Sequence, residues 1–232
     1  EPTQWSDLDG DGFGDEVDGL EGDYCPTVAG ISLNDRIGCL DTDRDGWSDP
    51  DATWLATDGA DAFPTFSSQH ADRDGDGYGD SSTGYRADIC PDIEGTSTED
   101  VFGCLDTDGD GWSDAGDAFP EDATQHVDAD MDGYGDSRNG NLPDSCPGVF
   151  GTSTEQELGC PDSDGDGWGD NLDIFVDDVR FWSDIDEDGH PDQQGTNMSD
   201  DCPEVAGTSN QDRIGCLDTD GDGWSDEGDV FP

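Results

Sequence analysis

Residues 106–114 read Asp106-Thr107-Asp108-Gly109-Asp110-Gly111-Trp112-Ser113-Asp114. Three aspartates alternate, a glycine stands sixth, and a fourth aspartate stands ninth. A hard divalent cation takes about six to eight oxygen ligands at short range, so carboxylates at positions 1, 3, 5 and 9 can wrap one Ca²⁺. The glycine permits the sharp turn, and the position-7 backbone carbonyl, here that of Trp112, supplies a further oxygen.

The pattern recurs eight times. Four loops precede cysteines: Asp7-Asp9-Asp11-Asp15, Asp72-Asp74-Asp76-Asp80, Asp128-Asp130-Asp132-Asp136 and Asp184-Asp186-Asp188-Asp192. Their position-7 residues are Phe13, Tyr78, Tyr134 and His190. Four more follow cysteines: Asp41-Asp43-Asp45-Asp49, Asp106-Asp108-Asp110-Asp114, Asp162-Asp164-Asp166-Asp170 and Asp218-Asp220-Asp222-Asp226. Position 7 is there always tryptophan: Trp47, Trp112, Trp168 and Trp224. A twelfth-position acid completes three of the second set (Asp117, Asp173, Asp229); Ala52 holds that place in the first copy, where Asp61 beyond an insertion can substitute. Among the first loops only Asp18 stands at position 12. The aspartate two residues before each cysteine (Asp23, Asp88, Asp144, Asp200) can fill in, fastening the acidic loop to the cysteine segment.

The eight cysteines form four pairs, each 14 positions apart: Cys25 with Cys39, Cys90 with Cys104, Cys146 with Cys160, and Cys202 with Cys216. Even count and constant spacing read as one local disulfide per repeat, and imply an oxidising compartment outside the cytosol. A zinc reading would need CxxC clusters with histidines, which the sequence does not supply. Aligning the cysteines gives tandem segments 1–68, 69–124, 125–180 and 181–232, with starts at Gln4, Gln69, Gln125 and Phe181 and nine extra residues near 50–58 in the first. Inside each disulfide loop a Ser with Asp or Gln three places on (Ser32/Asp35, Ser97/Asp100, Ser153/Gln156, Ser209/Asp212) predicts one capped helical turn, ended by a glycine such as Gly103.

Composition excludes an ordinary globule. Apolar residues are 29% of the 232, against ~45–50% in typical soluble domains. Acidic residues number 62 and basic ones 7, all arginine, for a formal charge of −55. Such a chain stays open by self-repulsion unless cations compensate. Nucleic acid and anionic membranes are disfavoured partners, and no stretch approaches the ~18–20 apolar residues of a membrane span. No signal peptide is visible from Glu1 onward. No helical or alternating period is sustained. The expected fold is therefore mostly irregular: calcium-stabilised, disulfide-stapled tandem repeats with little regular secondary structure, in an elongated array. One Ca²⁺ per loop is the minimum, and eight ions leave most of the charge unneutralised.

With acidic loops, Asp-x-Cys-Pro and paired cysteines together, the chain resembles the thrombospondin type 3 repeat family. The closest local likeness is Asp184-Ile185-Asp186-Glu187-Asp188-Gly189-His190-Pro191-Asp192 leading to Asp200-Asp201-Cys202-Pro203. The resemblance implies loops wound around strings of calcium ions in extracellular proteins. The present chain departs from that family in its longer 56-residue period and its added Gly-Thr-Ser turn.

Three function classes follow. A calcium-stiffened extracellular spacer, stalk or filament segment needs no deep pocket. A calcium-dependent adhesion or glycan-binding module would use the unrepeated parts, namely Trp54 and Leu55 of the insertion, Phe181-Trp182, and the sequon at Asn197. An enzyme is not expected, because the carboxylates recur in metal-loop spacing and His70, His126 and His190 lack a nucleophile set. Position-7 and closing aromatics (Phe63, Phe119, Phe175, Phe231) read as packing. Joining Phe231-Pro232 to Glu1 nearly reproduces the passage from Phe119 to Asp128, which suggests continuation head to tail into another copy or adjoining repeats of a longer chain.

Overall fold

Glycine and aspartate interrupt the sequence so often that neither helical nor strand hydrogen bonding can propagate. A computed structural model describes residues 5–232; the repeat start at Gln4 and the junction through Glu1 lie outside them. Among the described residues the one helical element is a three-residue 3₁₀ turn, Ala56–Asp58. Extended pairing is limited to isolated bridges such as Gly79 with Ala87 and Asp88 with Phe102. The chain forms two compact units, Glu1–Ala123 and Thr124–Pro232.

All four disulfides join cysteines 14 positions apart, two in each unit. The expected helical turn inside each disulfide loop is not formed. In the second segment the Ser97 hydroxyl accepts the Cys104 N–H at 3.0 Å instead of capping. The Ser97 N–H meets the Cys104 carbonyl at 3.1 Å, so the serine laces the loop shut beside the disulfide. Ser32, Ser153 and Ser209 accept from Cys39, Cys160 and Cys216 at 2.8–2.9 Å. The carboxylate expected to reach back as a cap reaches forward. Asp100 accepts the N–H and hydroxyl of Ser113 in the following acidic loop at 2.9 and 2.6 Å, and Asp35 and Asp212 hold Ser48 and Ser225 in the same way. In the third segment Gln156 and Gly169 stand at these two positions, the glycine offers no hydroxyl, and here Asn171 donates to Glu157. A cap on a marginal one-turn helix contributes little, whereas these bonds satisfy buried groups of the neighbouring loop.

Little of the interior is apolar. The buried apolar side chains among the described residues are Cys39, Ala60, Cys104, Cys160, Phe181, Pro191 and Cys216, and the other buried side chains are mostly Asp, Ser and Gln. Hydrophobic burial of this extent cannot offset the conformational entropy of ordering such a chain. Gln69 and Gln125 show what replaces it. Each is about 1% exposed, and each holds the turn after its acidic loop through three backbone contacts: Gln69 to Ser81 N–H, Ser81 carbonyl and Tyr85 carbonyl at 2.9–3.2 Å. In the first segment the insertion folds back, with the Trp54 indole donating to Asp35 at 3.2 Å and lying 5.5 Å from the Arg36 guanidinium.

Two glycines separate backbone demand from crowding. Gly103 has φ 74°, and a methyl there would lie 2.3 Å from Asp88 Oδ1. Gly109 has φ 82° with open space around it, and the equivalent position carries Arg44, Met131 and Glu187 in other loops, all at positive φ. Gly109→Ala is expected to cost about 1 kcal/mol and Gly103→Ala about 2–5 kcal/mol. Urea midpoints of the two variants in saturating calcium check this; equal costs would contradict the packing of Gly103 on Asp88.

Candidate metal centres

Each acidic loop is wound by its own carboxylates. In residues 106–114, Asp106 accepts the N–H groups of Gly109 and Gly111 at 2.8 and 3.1 Å. Asp108 Oδ1 accepts from Asp110 at 3.2 Å, and Asp110 Oδ1 from Trp112 at 2.8 Å. Position 9 closes the loop: the Asp114 N–H donates to the Leu105 carbonyl, and its two oxygens take the N–H and hydroxyl of Thr107, both at 2.7 Å. The sixth position is glycine in all eight loops, with φ between 92° and 102°. These local bonds draw positions 1, 3 and 5 together. In Asp7-Asp9-Asp11, Asp41-Asp43-Asp45, Asp72-Asp74-Asp76, Asp106-Asp108-Asp110, Asp128-Asp130-Asp132 and three further groups, one ligand atom per residue lies within 4.8 Å of the others.

A second aspartate comes down on each loop from outside it. In the first loops it is the aspartate two residues before the cysteine of Cys-Pro. The Asp88 N–H donates to the position-8 carbonyl of Gly79 at 2.9 Å, and its Oδ1 accepts the Cys90 N–H at 2.7 Å. Asp23, Asp144 and Asp200 repeat both bonds, on Gly14, Gly135 and Pro191. The second loops use the same device on Ser48, Ser113, Gly169 and Ser225, through Asp61, Asp117, Asp173 and Asp229, each accepting from a phenylalanine N–H two places on. Asp61 takes this place across the insertion. In the first copy Asp23 is buried while Asp18 is exposed, so the closing residue there is Asp23 and not the one at position 12.

The remaining oxygens test whether these residues fit a cation. Position-3 oxygens of Asp9, Asp43, Asp74, Asp108, Asp164 and Asp186 are buried without a hydrogen-bond partner, as are those of Asp23, Asp61, Asp88, Asp144 and Asp200. Hydrogen bonds from protein meet one oxygen of each pair and leave the other. Uncompensated buried carboxylate oxygens are expensive, and a divalent ion is the compensation that an all-oxygen donor set favours. Position-7 carbonyls of Phe13, Trp47, Tyr78, Tyr134, Trp168, His190 and Trp224 accept no hydrogen bond among the described residues, which leaves them open as further oxygen donors. The neighbouring position-6 carbonyls of the second loops each take two N–H groups from the disulfide segment, such as Thr98 and Glu99 on Gly111 at 2.7 and 2.9 Å.

Electrostatics agree with the geometry. Burial pushes the carboxyl of Asp61 up to about 7, with the charges of Asp45, Asp43 and Asp49 adding to the rise. Burial also raises Asp23, Asp88, Asp144, Asp173 and Asp200, each with contributions from carboxylates of the loop it closes. Asp212 moves the other way, to about 2, because the N–H and hydroxyl of Ser225 stabilise its charge. The first class converges on a shared interior, whereas the second fastens segments together.

Two features are not legible as functional from the spacing alone. The Asp–Ser fastenings (Asp35, Asp100, Asp212) resemble capping boxes in sequence. Gln69 and Gln125 give a signal only through recurrence three residues before position 1. The chain matches no protein-family model, and no curated protein matches it.

A carboxyl raised from 3.8 to about 7 makes the folded, metal-free chain hold a proton that the unfolded chain releases. Stability of that form therefore falls as pH rises between these values. The bonds that lower Asp212 are lost only as pH drops below its ordinary carboxyl range, outside that window. In chelator with disulfides intact, where loss of the ions leaves the chain at most marginally ordered, the residual dispersion of amide resonances is expected to be greater near pH 5 than near pH 7.5. Dispersion that grows with pH would contradict the crowding of Asp61 against its loop.

Proposed function

We propose that this chain is a calcium-binding structural protein of the extracellular space, in which ions bound in eight acidic loops take the part of a hydrophobic core and stiffen a spacer, stalk or filament segment. The observation that carries this reading is the convergence of unpartnered, buried carboxylate oxygens from two directions. One comes from position 3 of a loop and one from the aspartate that closes it, as in Asp9 with Asp23, Asp43 with Asp61, Asp74 with Asp88, and Asp186 with Asp200. In each centre, positions 1, 3 and 5, the closing aspartate and the position-7 carbonyl supply the donors, while position 9 holds the loop shut. Calcium suits the set better than Mg²⁺, because a flexible loop with many carboxylates gives a high and irregular coordination number. The resemblance to thrombospondin type 3 repeats supports the same assignment.

Four local disulfides are consistent with an oxidising exterior. No helix among the described residues is long and apolar enough to cross a membrane. Modules of this kind bind at roughly 10⁻⁴–10⁻³ M, which suits a calcium-rich exterior. Ions that bind the folded loops and not the open chain would stabilise the fold by mass action. The aromatics on which an adhesive reading would rest are engaged within the protein. Trp54 packs on Asp35 and Arg36, Phe181 is 1% exposed, and Trp182 stacks on Trp168. Asn197 is exposed, as a glycosylated residue must be.

Two substitutions in one segment test the donor set. Asp23→Asn is expected to weaken one ion's binding by about tenfold or more, since even groups that only support ligands matter on that scale. Asp18→Asn is expected to leave every ion in place. Calcium titration calorimetry of both variants, with native mass spectrometry to count ions, gives the answer. Loss of an ion in Asp18→Asn but not in Asp23→Asn would overturn the assignment of the closing aspartate.

A further inference from the structure

Each segment sets the same backbone beside its first acidic loop, and one segment furnishes that place differently. In the second segment Gln69 donates to the Tyr85 carbonyl at 3.2 Å, and the Ile89 N–H donates to the Phe102 carbonyl at 3.0 Å. The third segment repeats both bonds, with Gln125 on Asn141 and Ser145 on Leu158. The first and fourth repeat the second bond, with Tyr24 on Ile37 and Asp201 on Ile214. Elsewhere the place of Tyr85-Arg86 is held by Leu20-Glu21, Asn141-Leu142 and Asn197-Met198, and Asp122 stands in the third segment where Phe66 stands in the second. The repeat therefore folds without the rings and the cation that the second segment places there.

Together these side chains make a cleft. Phe63, Phe66, Tyr78, Tyr85 and Arg86 line a cavity of about 310 Å³, at the small end of the range for ligand sites. Phe66 and Tyr85 stack with ring centres 5.0 Å apart, and Tyr78 stacks on Phe102 at 5.6 Å. The Arg86 guanidinium joins the two pairs, 5.6 Å from the rings of both Tyr85 and Phe102. Only 9% of the chain is aromatic, yet Phe66 is left 44% exposed and Tyr85 54%, so these rings are not there to build a core. Asp76 also borders the cleft, but both its oxygens accept backbone N–H groups, from Tyr78 and Gly95.

The polar groups of the cleft have no other partner. The hydroxyls of Tyr78 and Tyr85 make no hydrogen bond among the described residues. Arg36, Arg73, Arg180 and Arg213 each pair with a carboxylate. Arg86 pairs with none among the described residues, although the chain has 62 acidic side chains. Arg44 and Arg138 share that lack but lie over no ring among the described residues. We propose that this cleft binds an acidic sugar, a pyranose bearing a carboxylate, such as a hexuronate unit of a glycan. A pyranose presents an apolar C–H face that an aromatic ring covers, and hydroxyls that bond to phenols. The planar guanidinium takes the carboxylate in two parallel bonds. A neutral sugar would gain nothing from Arg86, and a purely apolar ligand nothing from the phenols. Repulsion from the formal charge of −55 keeps the affinity modest, and cations bound in the loops relieve it. The site goes beyond the calcium reading and uses neither the insertion nor Phe181-Trp182.

Amide proton–nitrogen spectra of the whole chain in saturating calcium, titrated with two hexuronate disaccharides, test this site. The probes are glucuronosyl-glucose and digalacturonate, each beside a neutral counterpart in which hydroxymethyl replaces carboxylate. The acids are expected to shift the amides of Gly77–Gly79 and Tyr85–Ala87 saturably, and to bind about tenfold or more tightly than the neutral forms. Tyr85→Asn and Arg86→Leu copy what the third segment carries at these places, so the fold accommodates them. Each is expected to weaken binding of the acids about tenfold and to leave the count of bound calcium ions unchanged. The proposal is overturned if neither acid shifts these amides, if the neutral forms bind as tightly, or if either variant binds the acids as the unaltered chain does. Tighter binding of a carboxylate-bearing peptide, glycylglycylphenylalanine, at the same amides would also overturn it. Native mass spectrometry separates the two readings, since full calcium loading without sugar binding defeats the cleft alone.

Discussion

The structure depends on carboxylate oxygens brought close together, buried and left without hydrogen-bond donors. At Asp88 the backbone N–H is fixed on Gly79 and one oxygen on Cys90, so the other oxygen has nowhere to turn but inward toward Asp74 and Asp76. Like charges at this range repel strongly in a medium less polar than water. The arrangement is intelligible when a divalent ion supplies the missing positive charge, and in the reading proposed above that ion does what a hydrophobic core does elsewhere. Burial dominated by Asp, Ser and Gln then needs no other explanation.

Around each centre the remaining parts prevent the acidic loops from springing apart. The disulfide shortens one segment, and its serine laces the same segment through the N–H of the second cysteine. Position-5 carboxylates of the first loops reach glycines of the disulfide segment, as Asp76 does to Gly95 at 3.1 Å. Asp100 holds the loop on the other side. Every disulfide segment is therefore gripped by the acidic loop before it and grips the one after it. Stacks such as Trp47 on His70 carry the coupling on to the next segment.

Much of this was legible in the sequence. The alternating aspartates with glycine at position 6 gave the loops, because few other chemistries ask for that spacing. The constant interval between cysteines gave the pairing, and the lack of any hydrophobic period gave the near-absence of helix and strand. Asp61 and the aspartates before Cys-Pro were readable as substitutes for a twelfth-position acid, and the structure sets them in one geometry with Asp117, Asp173 and Asp229. Ser97 with Asp100 reads as a capping box, but the structure uses both residues otherwise. A local pattern cannot show that a serine's partner lies seven residues away across a disulfide, or that an aspartate's lies thirteen residues away in another loop. Gln69 and Gln125 read only as segment starts for a related reason. A polar residue reads as surface until the backbone groups that bury it are known.

The most direct test of the central claim is the amide proton–nitrogen correlation spectrum of the chain with disulfides intact, recorded in saturating calcium and again after chelation. If cations are the core, calcium gives dispersed resonances throughout the acidic loops and the segments fastened to them, and chelation collapses them toward random-coil positions. The stapled segments alone cannot keep such a charged chain ordered. A spectrum that stays dispersed and unchanged after the calcium is gone would contradict the account, since the carboxylates would then be held together by something other than bound metal.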